Sequence, residues 1–313
     1  MSRSRFIPKS VSYLVPYILI STFQYQVAKD ALSYASPFVL MGLRYLIASL
    51  LLFGVSRSFR PIINKDTILL SIFTWASAGL WALGLQYVSP SQSAVLSYTM
   101  PLISIPLSSV ILSEKGSAKE WGGAAVGFVG VLVYSLSFVN QTLTVFGAGL
   151  TLMNAFFWAM YTIYFRKLRN QEATTTVATQ FLYGALLFFL IAPLDYRLDV
   201  TPNFWFDLAY LSTLSGVASF WLWNAMARLQ RVGKLSTLIY SVPVTVTLFQ
   251  YIETSLLTPP VSLIGICLMI FGIYISRSSM FERRRFSRDL DDPLKSVSSD
   301  SHPADLVSVW SPS

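Results

Sequence analysis

The sequence predicts an all-α, polytopic membrane protein of ten transmembrane helices, arranged as two inverted five-helix repeats. Three observations predict this fold class. Hydrophobic residues make up 54% of the 313 residues and charged residues only 12%, about half the charged share of an ordinary soluble domain. Ten apolar stretches approach the roughly 20 residues that a helix needs to cross a bilayer. Finally, the same short Tyr-x-x-Pro pattern occurs once in each half of the chain.

The apolar stretches follow one another along the chain with short polar segments between them. Arg3, Arg5 and Lys9 precede the first stretch as they would in a signal peptide, but no small-residue cleavage site follows, so we interpret this stretch as a span. The ten predicted spans are 11–28, 36–55, 67–87, 91–112, 121–139, 146–165, 175–194, 205–227, 235–257 and 259–276.

The positions of the basic residues predict the topology. Lys and Arg near helix ends favour the cytoplasmic side of a membrane. With both termini inside, every Lys and Arg falls on the inner side except Lys29 and Arg197 outside and Arg44 within a span. We therefore expect an integral, multi-pass protein with both termini cytoplasmic, in the cell membrane.

An offset of 142 positions relates the two halves. It takes Tyr98 to Tyr240 and Pro101 to Pro243. Each half holds five spans, an odd number, so the second half enters the membrane from the opposite side. Inverted repeats of this kind occur in secondary transporters, with the binding site between the repeats. The same offset relates two glycine pairs, Gly123 with Gly265 and Gly130 with Gly272.

The predicted domain organisation follows from the repeat. Residues 1–9 form a cytoplasmic tail, residues 10–141 the first five-helix repeat and residues 142–277 the second. Residues 278–313 are charged and then rich in Ser, Asp and Pro, so they are expected to form a disordered cytoplasmic tail.

Each proline of the repeated pattern lies near the middle of its span. Proline leaves the carbonyl four residues earlier without a donor, at Ser97 and at Ile239. Lipid offers no partner for such a carbonyl, so both sites should face protein or a water-filled cavity. Tyr98 and Tyr240 would then lie beside these interruptions and line the cavity. Simple kinking of two packed helices is the alternative.

Several segments carry a family resemblance over residues 10–277. They include "GLRYLIASLLL" (42–52), "LQYVSPSQSAVLSYTMPLISIPLSSVILSEK" (85–115) and "GGAAVGFVGVLVYS" (122–135), with "LSTLIYSVPVTVTLFQYIE" (235–253) and "LIGICLMIFGIYI" (263–275) in the second half. The chain resembles the EamA-type ten-span transporters of the drug/metabolite transporter superfamily. The resemblance implies a central cavity lined by spans 1, 3, 4, 6, 8 and 9, alternating access, and transport of small organic metabolites, often amino acids outward.

Two features depart from the related families. The fourth span closes with Leu112-Ser113-Glu114 where the family often has Leu-Gly-Glu. The first span contains no acidic residue, so the proton-coupling scheme of the small multidrug exporters does not carry over.

Aromatic and amide side chains on helix faces are the candidate cavity residues. They suit stacking and neutral hydrogen bonding with an amino acid, an aromatic metabolite or a similar zwitterion. Interfacial anchoring and helix packing are the alternatives for any one of them. The candidates are Gln24, Trp81, Tyr98, Pro101, Asn154, Trp158, Tyr161, Asn224, Tyr240 and Pro243, with Tyr25, Trp223, Thr237 and Thr247 on the same faces.

Two charged residues lie clearly inside predicted spans. Arg44 and Glu253 both lie in the outer half of the membrane, where ionisable residues usually face the interior or pair with one another. They either pair or separately hold a carboxylate and an amine of the substrate, and Glu253 is the candidate for proton coupling. The alternatives are that each side chain extends outward to the membrane interface, or that Arg44 only holds neighbouring helices together.

The residues argue against several other functions. The single His302 lies in the tail and the single Cys267 in an apolar run, which excludes a metal cluster or a Ser-His relay in the spans. No Gly-Lys-Ser/Thr phosphate loop occurs, and no cofactor is expected. The net charge of +8 reflects membrane orientation and contact with lipid head groups, and does not indicate nucleic-acid binding.

We therefore expect a secondary transporter with a small-molecule substrate and export favoured. A non-transporting scaffold or receptor-like protein and a passive channel are the alternatives on the same fold. Glycines in the fifth and tenth spans favour close packing within the chain. The sequence does not distinguish a monomer from a homodimer.

Overall fold

The computed structural model describes residues 9–57, 59–136, 144–242, 244–246 and 260–290, and the structural statements below concern these residues. Regular structure in these segments is helical, apart from one isolated antiparallel bridge between Ala35 and Leu198. Residues through Ser276 form one compact unit, and residues from Arg277 onwards form a second. The all-helical prediction is confirmed for the described segments.

Six helices lie in the first half of the chain. Two of them, α4 and α5, together occupy the predicted fourth span, which is interrupted in the middle. The six are α1 (Lys9–Tyr34), α2 (Pro37–Ser56), α3 (Lys65–Tyr87), α4 (Pro90–Ser97), α5 (Met100–Leu112) and α6 (Ala118–Ser135).

The second half repeats this pattern with additional irregularities. A π-helical segment (Thr213–Ala218) interrupts the predicted eighth span, and a 3-10 segment (Leu238–Tyr240) follows the first turns of the ninth. The helices are α7 (Val145–Lys167), α8 (Ala173–Ile191), α9 (Pro202–Ser212), α10 (Ser219–Leu229), α11 (Val232–Thr237) and α12 (Pro260–Leu290).

Six helical segments in the described ranges are long and apolar enough to cross a membrane. They are Pro37–Ser56, Lys65–Tyr87, Gln92–Leu112, Val145–Lys167, Ala173–Asp195 and Pro260–Ser278. The remaining predicted spans overlap α1, α6, α9 with α10, and α11, which are shorter or less apolar. The count of ten spans therefore stays a prediction.

Side-chain caps determine where several helices begin. Ser89 and Gln92 form a reciprocal capping box at the start of α4, and Ser117 and Glu120 form another at the start of α6. Each box satisfies two backbone N–H groups that the helix cannot pair itself. At α8, partial burial acts to raise the pKa of the Glu172 carboxyl, but backbone N–H donors at the helix start outweigh it and the pKa is lowered.

The last helix differs from the predicted tail. The sequence predicts disorder from residue 278, whereas α12 continues to Leu290. Extending an existing helix fixes one residue for each hydrogen bond gained and needs no new nucleus. The predicted tail residues 291–313 lie outside the described residues.

Helices from the two halves pack side by side through the compact unit. The helix α3 packs along α7, and α2 packs along α8. The helix α1 contacts α9 and α10, while α5 contacts α7 and α11. These pairings bring both halves of the chain around a common centre.

Glycines allow α6 and the start of α12 to touch through their backbones. A Cβ atom built on Gly123 would lie 2.5 Å from the carbonyl oxygen of Gly272, and one on Gly130 would lie 2.7 Å from that of Gly265. No side chain larger than hydrogen fits such distances without movement. Contacts pair low numbers on α6 with high numbers on α12, so the two helices run antiparallel. The packing is within the chain, as the sequence predicts.

We predict that Gly130→Ala destabilises the protein by about 1–3 kcal/mol, because the added methyl group overpacks a backbone contact. The matched control is Gly122→Ala on the same helix, where the nearest atom to a new Cβ lies 3.8 Å away. Thermal unfolding of the purified variants in detergent measures the difference. Equal melting temperatures for the two variants would contradict the close approach of α6 and α12.

Candidate functional site

A polar cavity lies between the two halves of the chain. It has a volume of about 80 Å³ and receives side chains from α1, α2, α3, α4, α7 and α10. Its lining includes seven of the residues named from the sequence, namely Gln24, Tyr25, Arg44, Trp81, Tyr98, Asn154 and Trp158. It also includes Tyr17, Ser21, Tyr45, Thr74, Ser77, Ala78, Ser97, Ala155, Ser219, Phe220 and Val242.

The interruption between α4 and α5 brings Tyr98 to this cavity. Pro101 has no N–H group and cannot bond to the carbonyl of Ser97. The chain therefore turns tightly here, with the N–H of Tyr98 donating to Val95 O at 3.1 Å and that of Thr99 to Leu96 O at 3.3 Å. The Tyr98 side chain is 1% exposed, and it lines the cavity together with Tyr25.

A chain of hydrogen bonds crosses the cavity wall from α3 through α7 to α4. The Ser77 hydroxyl donates to Asn154 Oδ1 at 2.8 Å, and Asn154 Nδ2 donates to Ser97 Oγ at 3.2 Å. The Ser97 hydroxyl in turn donates to the Ser93 carbonyl at 2.8 Å. The Ser97 hydroxyl donates its only proton to the Ser93 carbonyl, so its oxygen must accept a hydrogen bond from Asn154. This fixes the orientation of the Asn154 amide.

Arg44 is held by the irregular segment between α9 and α10. Its Nε donates to Leu211 O at 3.0 Å, and its Nη2 donates to Ser215 Oγ at 2.9 Å and Ser215 O at 3.4 Å. The Ser215 hydroxyl donates to Gln24 Oε1 at 2.5 Å. Arg44 is 3% exposed. It therefore ties α2 to the π-helical segment and also lines the cavity, while its contact with a substrate stays a prediction.

Aromatic rings form the apolar part of the wall. The Tyr25 and Trp81 rings meet edge to face with centroids 5.6 Å apart, and Arg44 Cζ lies 5.8 Å from the Trp81 ring. On the other side, the Trp158 ring lies 5.3 Å from that of Phe220. Offset and edge-to-face pairs of this kind hold each ring in one orientation. The wall can therefore accept a flat apolar group of a ligand.

Other predicted residues lie behind the wall. The Tyr161 hydroxyl donates to Asn224 Oδ1 at 2.8 Å, in a second layer that packs against Trp158. Tyr240 is fully buried against Gly127, where a Cβ would lie 2.3 Å from its ring, and its hydroxyl donates to Ala124 O at 3.0 Å. Pro101 is buried within α5. None of these side chains is among those that line the described cavity.

Three residues named from the sequence, Pro243, Thr247 and Glu253, lie outside the described residues. Pairing of Arg44 with Glu253 therefore stays a prediction. Conversely, the sequence reasoning did not name the small polar residues of α3 that line the cavity. Thr74, Ser77, Ala78 and Trp81 follow the i, i+3, i+4, i+7 spacing of one helix face, and that spacing is the signal that could have found them.

A second polar group, the Glu114 cluster, joins the two halves at the predicted cytoplasmic side. Glu114 forms an ion pair with Arg166 and accepts from the backbone N–H of Val232 at 3.0 Å. Arg166 Nη1 also donates to the Ala227 carbonyl at 2.7 Å. The Glu114 cluster consists of these four residues. Beside it, Arg231 Nη2 lies 3.4 Å from Glu120 Oε2. Together these contacts connect the segment after α5 with α7, α10 and α11.

At the predicted outer side, Lys29 holds the end of α3. Its ammonium group donates to the carbonyls of Leu85 at 2.6 Å, Gln86 at 3.2 Å and Val88 at 3.2 Å. A cation is favourable at a helix C-terminus, where carbonyl groups lack intrahelical partners. Partial burial lowers the pKa of Lys29.

A bundle of apolar helices around a cavity that both halves line is typical of multi-pass membrane transport proteins. The EamA-like transporter family matches residues 9–136 and again residues 145–278. The chain belongs to the EamA-like transporter family, and it is accordingly a transporter and not an enzyme.

Relatives agree with this assignment, and a solved structure has a similar fold. An uncharacterized transporter of Acidianus ambivalens is 46% identical over 238 residues, 76% of this chain and 92% of the relative. A probable amino-acid metabolite efflux pump of Salmonella typhimurium (strain LT2) is 25% identical over 279 residues, 83% of this chain and 91% of the relative. A crystal structure with 18% sequence identity superposes with a TM-score of 0.72 over 85% of this chain and 96% of that one.

We predict that Glu114→Gln destabilises the protein by about 1–3 kcal/mol, because it leaves the guanidinium of Arg166 without its counter-charge. The side chains of Arg166 and Glu114 are only 11% and 16% exposed. The control is Asp66→Asn, which breaks the exposed Lys167–Asp66 pair and should cost at most about 1 kcal/mol. Thermal unfolding in detergent compares them, and a larger loss for Asp66→Asn would refute the prediction.

Proposed function

We propose that this protein is a secondary transporter that carries a small organic metabolite, an amino acid or a related compound, by alternating access. The observation that carries the proposal is the position of the cavity. Its lining comes from both matched segments, with Tyr98 and Trp81 from the first and Asn154, Trp158 and Phe220 from the second. Substrate sites of secondary transporters lie at such an interface between repeats.

The glycine contacts support an inverted repeat. Shifting Gly123 by 142 gives Gly265, and shifting Gly130 gives Gly272. Exchanging the halves therefore converts the Gly123–Gly272 contact into the Gly130–Gly265 contact, and both contacts occur. A two-fold axis through antiparallel helices exchanges residues in this way. We propose that the ten spans form two such repeats, with both termini cytoplasmic, in the cell membrane.

The cavity chemistry supports an organic substrate of modest size. Aromatic rings stack on apolar groups, and the amides of Gln24 and Asn154 and the guanidinium of Arg44 offer hydrogen bonds. The Salmonella typhimurium relative named as a probable amino-acid metabolite efflux pump favours amino acids and export.

Alternating access requires both ends of the cavity to open in turn. The Glu114 cluster and the Arg231–Glu120 pair join the halves on the predicted cytoplasmic side. We propose that these contacts separate when the cavity faces the cytoplasm. Glu253, outside the described residues, is the proposed proton-coupling carboxylate.

Counterflow in proteoliposomes tests the proposal. Vesicles loaded with an excess of one unlabelled amino acid or organic metabolite at a time should accumulate the labelled compound transiently, and saturably, for at least one compound. Trp158→Ala should raise the half-saturating concentration about tenfold or more, because it removes a stacking surface in the cavity. Trp205→Ala is the control, since Trp205 is 54% exposed and lies away from the cavity.

The alternatives give different results. A passive channel would show flux without saturation or counterflow, and a scaffold would show no flux for any compound. If protons are coupled, an inward pH gradient should drive accumulation in the wild type and fail to do so in Glu253→Gln. Wild-type behaviour in Glu253→Gln would remove this residue from the coupling.

A further inference from the structure

The cavity has an unusual balance of charge. Arg44 is its only basic lining residue, and the described lining contains no acidic one. The ion pairs described in the chain join Arg166 to Glu114, Lys167 to Asp66 and Arg231 to Glu120, and Arg44 takes part in none of them. Its described partners are two carbonyls, a hydroxyl and a thioether. A buried cation whose described partners are all neutral favours an anion in the adjacent space.

A second donor lies next to this cation. The indole Nε1 of Trp81 has no hydrogen-bond partner, although the residue is only 5% exposed. Indole can donate but cannot accept a hydrogen bond. Buried polar groups are rarely left unpaired, and Trp81 lines the cavity, so its N–H is the candidate donor to an acceptor on a bound ligand. Arg44 lies over the same ring, 5.8 Å from its centroid.

The nearby amides also present donors to the cavity. Ser215 Oγ accepts from Arg44 and therefore gives its own proton to Gln24 Oε1. The Gln24 carbonyl oxygen is thus occupied and its NH2 group remains. In the same way, the Asn154 carbonyl oxygen is occupied by the hydroxyl of Ser77.

We propose that the substrates of this cavity are organic acids, recognised through one carboxylate by Arg44, the Trp81 indole N–H and the Gln24 amide. The proposal rests on the proposed transport function and makes its substrate class narrower. One guanidinium balances one negative charge, which favours a monocarboxylate over a dianion. The rings of Tyr25, Trp158 and Phe220 receive the apolar or aromatic body. An ammonium group is not required, so amino acids bind through their carboxylate, and amines that lack a carboxylate bind more weakly.

Equilibrium binding to the purified, full-length protein in detergent tests this separately from transport. Labelled 3-phenylpropionate serves as the probe, and phenylalanine, phenylalaninamide and phenethylamine serve as competitors. We expect the probe and phenylalanine to bind. The amide and the amine, which lack the carboxylate, should bind about 10- to 100-fold more weakly, the range expected for lost hydrogen bonds between charged groups. Equal or tighter binding of the amide or the amine, or no binding of the probe, would overturn the proposal.

Substitutions that preserve shape identify the donors. Trp81→Phe removes the N–H and keeps an aromatic ring, and should weaken binding of 3-phenylpropionate about tenfold. Trp75→Phe is the matched control, because Trp75 lies on the same helix and has an unpaired Nε1, but does not line the cavity. Gln24→Glu places a carboxylate beside Arg44 and should abolish binding of the probe.

The outcomes separate this inference from the proposed function. Unchanged affinity in both Trp81→Phe and Gln24→Glu would overturn the anion site. Counterflow of an amine, with no binding of carboxylates, would support the proposed transport function and contradict the proposal that the substrates are organic acids. Binding that depends on the carboxylate, without counterflow of any compound, would support the carboxylate site and contradict the proposed transport function.

Discussion

The absence of water inside a bilayer is the constraint on which this structure depends. A polar group placed there must find its partner within the protein. Arg44 meets this requirement through the carbonyls of Leu211 and Ser215, beside the π-helical segment Thr213–Ala218. At Pro101 the unpaired group is an acceptor, because proline has no N–H group to donate to the Ser97 carbonyl. In both places a departure from regular helix geometry occurs at the cavity, where protein and ligand groups replace lipid.

Two of the contacts between the two halves differ in kind. The helices α6 and α12 touch through glycine backbones at distances that leave no room for a methyl group. The Glu114 cluster instead joins the halves through charged side chains, which water can solvate when they separate. In the proposed carrier, the glycine contact suits a part that stays packed, while the ionic contacts suit a part that opens. In that carrier, a small rocking motion would change access to the cavity.

Much of the fold could be predicted because its causes are local or repeated. Apolar runs of membrane-spanning length, the placement of Lys and Arg, and the offset between Tyr98 and Tyr240 are all visible along the chain. The π-helical segment could not be predicted, because it depends on Arg44, which is distant in sequence. The extension of α12 to Leu290 was likewise missed, since composition indicated disorder where an existing helix continues.

The candidate site was predicted in part for a similar reason. Large side chains such as Trp81, Trp158 and Tyr98 are conspicuous in an apolar span, whereas Ser77 and Thr74 are not. The repeat also suggested that Tyr240 would match Tyr98, but Gly127 opens a space on α6 that Tyr240 fills. Repeated sequence thus predicts repeated backbone more reliably than it predicts equivalent side-chain surroundings.

The central claim is that one cavity between the halves is reached from both sides of the membrane in turn. The most direct measurement is labelling of Ala78→Cys, in a Cys267→Ser background, by an impermeant thiol reagent applied to spheroplasts and to inverted vesicles. Ala78 lines the cavity, and its small side chain leaves the polar contacts intact. The account predicts labelling from both sides, without leakage of the reagent across the membrane. Labelling from one side alone under all substrate conditions would contradict it.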